Sequence, residues 1–110
     1  MIHIETFIFN PFSENTYVLF DVETKESCII DPGCYEEFEK QELNEFILNN
    51  HLKVKYLFNT HGHIDHVLGN NYIKSIYNPE FYFPHGDIFL LDLLEMQASS
   101  FNIKLEHFTN

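Results

Sequence analysis

The sequence has little of three residue types on which common functions depend: 4 glycines, 2 cysteines and 6 lysines and arginines among 110 residues. The glycines stand too far apart to form a Gly-x-Gly-x-x-Gly fingerprint or a phosphate-binding loop. No Gly-x-Ser-x-Gly elbow is present either. The sequence therefore gives no support to dinucleotide binding, to P-loop nucleotide chemistry or to a serine-hydrolase mechanism.

The two cysteines, Cys28 and Cys34, do not have the spacing of a Cys-x-x-Cys motif. In a reducing compartment they are most simply free thiols, Cys28 within a strand and Cys34 near a turn. A redox pair is the alternative interpretation.

Basic residues are scarce beside the 17 acidic ones, and the formal net charge is −11. This charge repels phosphate backbones and anionic membrane surfaces, so we expect neither nucleic acid nor membrane as a partner. No apolar run approaches the roughly 18 residues of a membrane span. The first ten residues lack the basic start and apolar stretch of a secretory signal, so the sequence predicts a cytoplasmic protein.

What the chain does have is apolar and aromatic content, 45% and 16% of its residues, which is typical of a globular protein, here a single domain over residues 1–110. Alternating and β-branched apolar segments predict strands over residues 2–9, 16–20, 27–30, 54–58 and 81–83. Apolar residues at helical spacing predict helices over residues 35–50, 66–77 and 87–99. An antiparallel start followed by a strand–helix–strand unit predicts an α/β fold.

Three local details follow from the same patterns. Gly33 is expected to provide the positive φ of a type II turn at Asp31-Pro32-Gly33. The acidic residues that open the first predicted helix are expected to form a solvated face: Glu36, Glu37 and Glu39. Its apolar side is expected to comprise Tyr35, Phe38, Leu43, Phe46 and Ile47.

The last predicted helix is apolar around nearly its whole circumference, since 8 of the 11 residues from Ile88 to Ala98 are apolar. Such a helix must be covered on more than one side. We therefore expect either self-association through Leu90, Leu91, Leu93 and Leu94 or cover by a missing C-terminal half.

The most informative stretch is Thr60-His61-Gly62-His63-Ile64-Asp65-His66, which places three imidazoles and a carboxylate between a predicted strand and a predicted helix. Such a cluster is costly to bury without a partner, whereas a divalent cation accepts neutral imidazole nitrogens and carboxylate oxygens. In extended backbone His61 and His63 point to the same side, and Asp65 and His66 follow where the chain turns into the helix. A metal site is the predicted function of the stretch, and a pH-sensing histidine cluster is the alternative.

In these residues the sequence resembles the metallo-β-lactamase fold superfamily, whose hallmark is His-x-His-x-Asp-His. The resemblance extends to Glu14-Asn15-Thr16-Tyr17-Val18, which looks like an early Asn-x-Tyr strand, and to Ile29-Ile30-Asp31-Pro32-Gly33, which looks like an Asp-Pro-Gly turn. Pro84-His85-Gly86-Asp87 and the Leu-rich segment after it are similar to the equivalent part of glyoxalase II-like thioesterases.

The resemblance implies that His61 and His63 hold a first metal ion, and Asp65 and His66 a second. The implied metal is zinc, two ions per complete domain, with iron or manganese as alternatives. It further implies that a metal-bound hydroxide attacks a thioester carbonyl, with Asp65 as the catalytic residue that also orients it.

By the same resemblance, Asp31 would support the ligands from the floor of the site, and Thr60 would contribute a supporting hydroxyl. Among the other histidines, His85 ends a predicted strand and is a minor candidate for the same edge. For His3, His51 and His107 we expect a surface or core role.

Only about the first half of the family's domain is matched, because the family's remaining ligands come from a C-terminal half. We therefore interpret the chain as the N-terminal half of an αββα sandwich (α/β, or α+β in some classifications), with a mixed sheet and helices on one face. The implied activity is metal-dependent hydrolysis of a small-molecule thioester in the glyoxalase II manner. The alternatives are a mononuclear iron persulfide dioxygenase and a non-catalytic metal-binding fragment.

Overall fold

The computed structural model of the chain describes residues 1–60 and 64–83. The strands in this part are β1 (Ile2–Phe9), β2 (Glu14–Asp21), β3 (Glu26–Ile30), β4 (Lys53–Phe58) and β5 (Glu80–Tyr82). The helices are α1 (Glu37–Asn49), α2 (Ile64–Val67) and α3 (Asn70–Tyr77). All five predicted strands are confirmed within two residues at each end.

The five strands form one sheet in the order β1-β2-β3-β4-β5. β1 pairs with β2, and β2 with β3, in antiparallel fashion through short loops. β3 and β4 are parallel, and so are β4 and β5. The chain forms α1 between β3 and β4, and α2 and α3 between β4 and β5. Parallel neighbours need such crossovers, so the predicted mixed sheet is confirmed.

One face of the sheet carries the core, because alternate residues of neighbouring strands point to the same side. Phe7, Val18 and Ile29 lie on this inner face and are buried. Phe46 of α1 packs edge-on against Phe7, with ring centroids 5.5 Å apart, and Ile73 of α3 belongs to the same cluster. The helices therefore cover one face, as predicted.

The opposite face is also apolar, and it is exposed. Ile4 and Ile8 of β1 are 57% and 66% exposed, and Tyr56 and Tyr82 are 40% and 46% exposed. The rings of Phe58 and Tyr82 stack on this side with centroids 4.9 Å apart. Apolar residues on both faces are typical of a sheet that forms an inner layer of a sandwich.

The first helix differs from the prediction at its start. It begins at Glu37, so Tyr35 precedes it, and a capping box between Glu36 and Glu39 fixes that start. Glu39 is 6% exposed and accepts backbone N–H groups, whereas Phe38, about 100° around the helix, is 67% exposed. The predicted apolar side was wrong at Phe38, and the predicted solvated face was wrong at Glu39.

The predicted helix over residues 66–77 is two helices, with a break at Leu68 and Gly69. The break forms because the Gly69 N–H donates to the Pro32 carbonyl at 2.7 Å instead of continuing the helix. Ile76, one of the apolar residues at helical spacing in this segment, is 48% exposed.

The turn after β3 was predicted with the positive φ on the wrong residue. Asp31 has φ 53°, and none of the described glycines has a positive φ. Aspartate tolerates the left-handed region, and its contacts with Thr60 hold it there.

The predicted helix over residues 87–99, with the self-association inferred from it, lies outside the described residues. None of the helices in the described ranges has the length and hydropathy of a transmembrane segment.

Candidate metal centre

The candidate site lies where the parallel strands β3 and β4 end. Asp31 directly follows β3, and Asn59 and Thr60 directly follow β4. The Asp31 N–H donates to the Phe58 carbonyl at 2.8 Å, which extends the strand pairing to the edge of the sheet. The carboxyl ends of parallel strands are the usual place for ligand sites in α/β sheets.

Asp31 is held in one orientation by its neighbours. Its Oδ1 accepts the Thr60 N–H at 2.7 Å, and its Oδ2 accepts the Thr60 hydroxyl. Its carbonyl oxygen lies 2.7 Å from the Thr16 hydroxyl, which in turn accepts the Gly33 N–H at 3.0 Å. Because Asp31 is 3% exposed, these contacts fix a buried carboxylate in place.

His66, in the short helix α2, turns its Nδ1 toward two carboxylates. Nδ1 lies 3.0 Å from Asp31 Oδ2 and 3.4 Å from Glu14 Oε1. A carboxylate can only accept, so Nδ1 carries the proton in these contacts. In the neutral imidazole the lone pair then belongs to Nε2, which is the nitrogen that can bind a metal.

The position of α2 is fixed from the opposite side by two buried asparagines. Asn59 and Asn70 exchange side-chain hydrogen bonds of 2.7 and 3.2 Å. Asn59 Nδ2 also donates to the His66 carbonyl at 3.2 Å. The end of β4, α2 and the start of α3 are therefore tied together around His66.

The loop after Asp31 is anchored by Glu39 and Asn10. The Glu39 carboxylate accepts the N–H groups of Asn10 at 2.7 Å, Tyr35 at 2.9 Å and Glu36 at 3.1 Å. The Asn10 side chain donates to the Gly33 carbonyl at 3.0 Å. A buried acidic residue, outside the predicted site, thus stabilises the loop that carries Asp31.

Gly69 lets this loop and the helices approach closely. A Cβ at this position would lie 2.4 Å from Cys34 Sγ and 2.7 Å from the Pro32 carbonyl oxygen. Cys34 is fully buried here, and burial raises the pKa of its thiol from 9.0 to about 12. Both Cys28 and Cys34 are free thiols, and the raised pKa keeps Cys34 neutral and unreactive at physiological pH.

Three of the predicted site residues, Asp31, Thr60 and His66, lie together in the described part of the chain. His61 and His63 lie outside the described residues, and for Asp65 the structure describes the backbone, within α2. The ligand roles of all four motif residues therefore stay predictions.

Of the remaining histidines, two lie within the described residues and two lie outside them. His3 contacts Glu5 at 3.5 Å and the Phe20 ring, away from the Asp31 group, and His51 is exposed. His85 and His107 lie outside the described residues.

Sequence reasoning missed Glu14 as a site residue. Glu14 Oε2 lies 3.1 Å from the Thr16 hydroxyl, and its side chain is buried. Strand alternation could have identified it, because alternate residues of a strand lie on the same face. Glu14 therefore lies on the same face as Thr16 and Val18, which point to the core.

The donor chemistry fits a cation. Glu14, Asp31 and His66 bring two carboxylates and an imidazole within 4.8 Å of one another, which are residue types found in metal centres. A metal-binding histidine characteristically donates its second ring N–H to a carboxylate, which fixes the ring and makes the binding nitrogen more basic. At His66 the same two groups lie close together, with Nδ1 3.0 Å from Asp31 Oδ2.

The fold and the site together define an α/β domain with a candidate metal centre at the carboxyl ends of its parallel strands. A sequence profile of the Metallo-beta-lactamase superfamily matches residues 9–105. The chain belongs to the metallo-β-lactamase superfamily.

Within the superfamily the similar proteins include hydroxyacylglutathione hydrolases. The chain is 34% identical to hydroxyacylglutathione hydrolase GloC of Haemophilus influenzae over 102 residues, which is 92% of this chain and 46% of that protein. It is 30% identical to hydroxyacylglutathione hydrolase 1 of Vibrio vulnificus over 88 residues, 80% of this chain and 30% of that protein. The chain thus spans less than half the length of these relatives.

Solved structures show the same fold. TTHA1623, in a di-iron-bound form, has a TM-score of 0.78 at 21% identity over 96% of this chain and 50% of that one. The B3 metallo-beta-lactamase BLEG-1 has a TM-score of 0.64 at 24% identity over 73% of this chain and 36% of that one. The predicted fold, an α/β mixed sheet of the metallo-β-lactamase type, is confirmed.

Proposed function

We propose that the chain is the ligand-bearing half of a metal-dependent hydrolase that acts on small-molecule thioesters, in particular hydroxyacyl derivatives of glutathione. The observation that carries the proposal is the fixed orientation of His66, whose Nδ1 lies 3.0 Å from a buried carboxylate at the carboxyl edge of the sheet. The substrate class comes from the names of the two hydroxyacylglutathione hydrolases that the chain resembles.

In this proposal His61 and His63 hold one metal ion, and Asp65 and His66 hold a second. Zinc is the favoured metal, because imidazole and carboxylate suit it. A bound metal ion would lower the pKa of a coordinated water to about 7 and would polarise the substrate carbonyl.

The chain's own residues prepare this site. Asp31 keeps the proton of His66 on Nδ1, and Thr60 keeps the Asp31 carboxylate in place through its N–H and its hydroxyl. Asp65 would orient the attacking water. The overall reaction adds water across the thioester, breaking the C–S bond to give a carboxylate and a free thiol.

We further propose that the protein acts in the cytoplasm with neither nucleic acid nor membrane as a partner, since its formal net charge of −11 repels phosphate backbones and anionic membrane surfaces.

The first test measures thiol release from a hydroxyacyl-glutathione thioester by the zinc-loaded 110-residue chain. We expect turnover near background, since two of this chain's residues per metal fall short of the roughly three protein ligands of a catalytic zinc. Robust turnover by the chain alone would show that the site needs nothing further.

The second test adds the C-terminal half of the Haemophilus influenzae relative, co-expressed with this chain. We expect turnover to appear, and His66→Gln to lower it at least about 100-fold. His3→Gln is the matched control, because His3 is half-exposed on β1 and contacts Glu5 and Phe20. A combined domain that holds two metal ions yet hydrolyses no thioester would refute the proposed activity.

The second candidate is a non-catalytic metal-binding module, favoured by the chain's coverage of only 46% of the Haemophilus influenzae protein. Metal uptake without turnover in both tests would support it. One iron per combined domain with consumption of oxygen would instead support the persulfide dioxygenase alternative.

A further inference from the structure

Glu14 is a buried carboxylate that the proposed function leaves without a role. It is the first residue of β2, and its side chain is 1% exposed on the helix-covered face of the sheet. Burying a carboxylate is costly unless a compensating charge or hydrogen bond is near. What lies near Glu14 therefore indicates what it does.

Its two oxygens have different neighbours. Oε2 lies 3.1 Å from the Thr16 hydroxyl on the same strand, so the side chain is tethered to β2. Oε1 lies 3.4 Å from His66 Nδ1, the nitrogen that also faces Asp31 at 3.0 Å. Two carboxylates, one at the start of β2 and one directly after β3, thus converge on one ring nitrogen.

The two buried carboxylates place negative charge beside Nδ1 of His66. Asp31 already accepts the N–H and the hydroxyl of Thr60. Like-charged carboxylates at one nitrogen repel each other, and a cation bound on the far side of the ring would offset that repulsion. The pair therefore matches a histidine that binds a dication through Nε2.

We infer that Glu14 is a positioning residue for the metal centre, which together with Asp31 orients His66 and raises its affinity for the metal. This inference rests on the metal-binding part of the proposed function. The inference goes beyond the proposed function, because it makes the metal affinity depend on Glu14. This residue lies on β2, 52 positions before His66.

The test compares Glu14→Gln with wild type. Glutamine keeps the shape of the side chain and an oxygen for the Thr16 contact while removing the charge. Glu5→Gln on the neighbouring strand is the matched control, because Glu5 is partly exposed and its contact is with His3. Zinc affinity is measured by competition with a chromogenic chelator on the full 110-residue chain.

We expect Glu14→Gln to weaken zinc binding by about 10- to 100-fold, as supporting partners of metal-bound histidines do. We expect Glu5→Gln to leave it unchanged. The midpoint of thermal unfolding of the metal-free Glu14→Gln chain should equal or exceed that of wild type. The substitution removes the charge of Glu14, so the buried Asp31 carboxylate no longer has a like-charged neighbour. A merely structural residue would lower that midpoint instead.

Each outcome decides the inference. Wild-type zinc affinity in Glu14→Gln overturns it, and so does a loss of affinity accompanied by a lower metal-free unfolding midpoint. A wild-type chain that takes up no zinc overturns it as well. Zinc binding that depends on Glu14 in a domain that hydrolyses no thioester would uphold this inference and refute the hydrolase.

Discussion

Replacing Gly69 with alanine would force a methyl group into the contact between α3 and the loop that carries Asp31. The new Cβ would lie 2.4 Å from Cys34 Sγ, 2.7 Å from the Pro32 carbonyl oxygen and 3.2 Å from the Cys34 carbonyl oxygen. Backbone oxygens cannot rotate away as a flexible side chain can. The loop and the helix must therefore move apart, which also strains the 2.7 Å hydrogen bond from the Gly69 N–H to Pro32.

Overpacking of this kind costs about 1–3 kcal/mol. Weakening the hydrogen bond adds about 1 kcal/mol. Alanine recovers roughly 0.4–1 kcal/mol, because it restricts the unfolded chain more than glycine does. We therefore expect Gly69→Ala to lower the free energy of unfolding by about 1–4 kcal/mol, on the sum of these contributions.

Urea denaturation of the metal-free chain measures this change, and Cys34→Ala tests its cause. Removing the sulfur relieves the shortest contact and leaves the one with the Pro32 oxygen. The double variant should therefore be more stable than additivity predicts, by about 1 kcal/mol. Ser75→Ala, at an exposed position of α3, is the control and should be close to neutral. A Gly69→Ala effect below about 0.5 kcal/mol, or strict additivity with Cys34→Ala, would refute the steric explanation.

Three further measurements test other parts of the structure. Glu39→Ala should lower the free energy of unfolding by about 3 kcal/mol, because three N–H groups lose a charged acceptor. Glu39→Gln should lower it by less. Equal effects of the two substitutions in urea denaturation would contradict this explanation. Burial raises the pKa of Cys34 from 9.0 to about 12, so the folded chain keeps a proton that the unfolded chain loses in that range. The free energy of unfolding should fall by up to about 1.4 kcal/mol per pH unit above pH 9, and Cys34→Ala should remove that component; an unchanged alkaline slope would contradict it. The open face of the sheet should bind the dye ANS, and Ile4→Lys should reduce its fluorescence; no change in fluorescence would show that the dye binds elsewhere.

The strands and the edge that holds the site could be predicted from the sequence, because both depend on local patterns. The apolar residues over residues 2–9 indicate a strand, although Ile4 and Ile8 lie on its exposed face. The order strand, then His-x-His-x-Asp-His, then helix fixes where the motif lies on the sheet. The break at Gly69 could not be predicted in this way, because the apolar spacing continues across it and the cause is a contact with Pro32, 37 positions earlier.

The same limit explains the other differences. An acidic residue in the first turn of a helix, such as Glu39, is usually solvated. Its burial here is accounted for only by its contact with Asn10, 29 positions away. The positive φ was assigned to Gly33 from the general preference of turns, whereas at Asp31 it is stabilised by contacts with Thr60, which follows β4. Local preference was overridden wherever a polar group had a distant partner.

This division between local and distant contributions also applies to the metal centre. The predicted ligands stand within six residues of one another, so a short motif is enough to find them. The groups that orient His66 come instead from β2 and from the end of β3, and neither has a fixed spacing from the motif. A chain could therefore keep His-x-His-x-Asp-His and still bind metal weakly if residues 14 and 31 were not acidic. In this chain both carboxylates are present and buried, so the structure supplies an orientation that the motif alone does not specify.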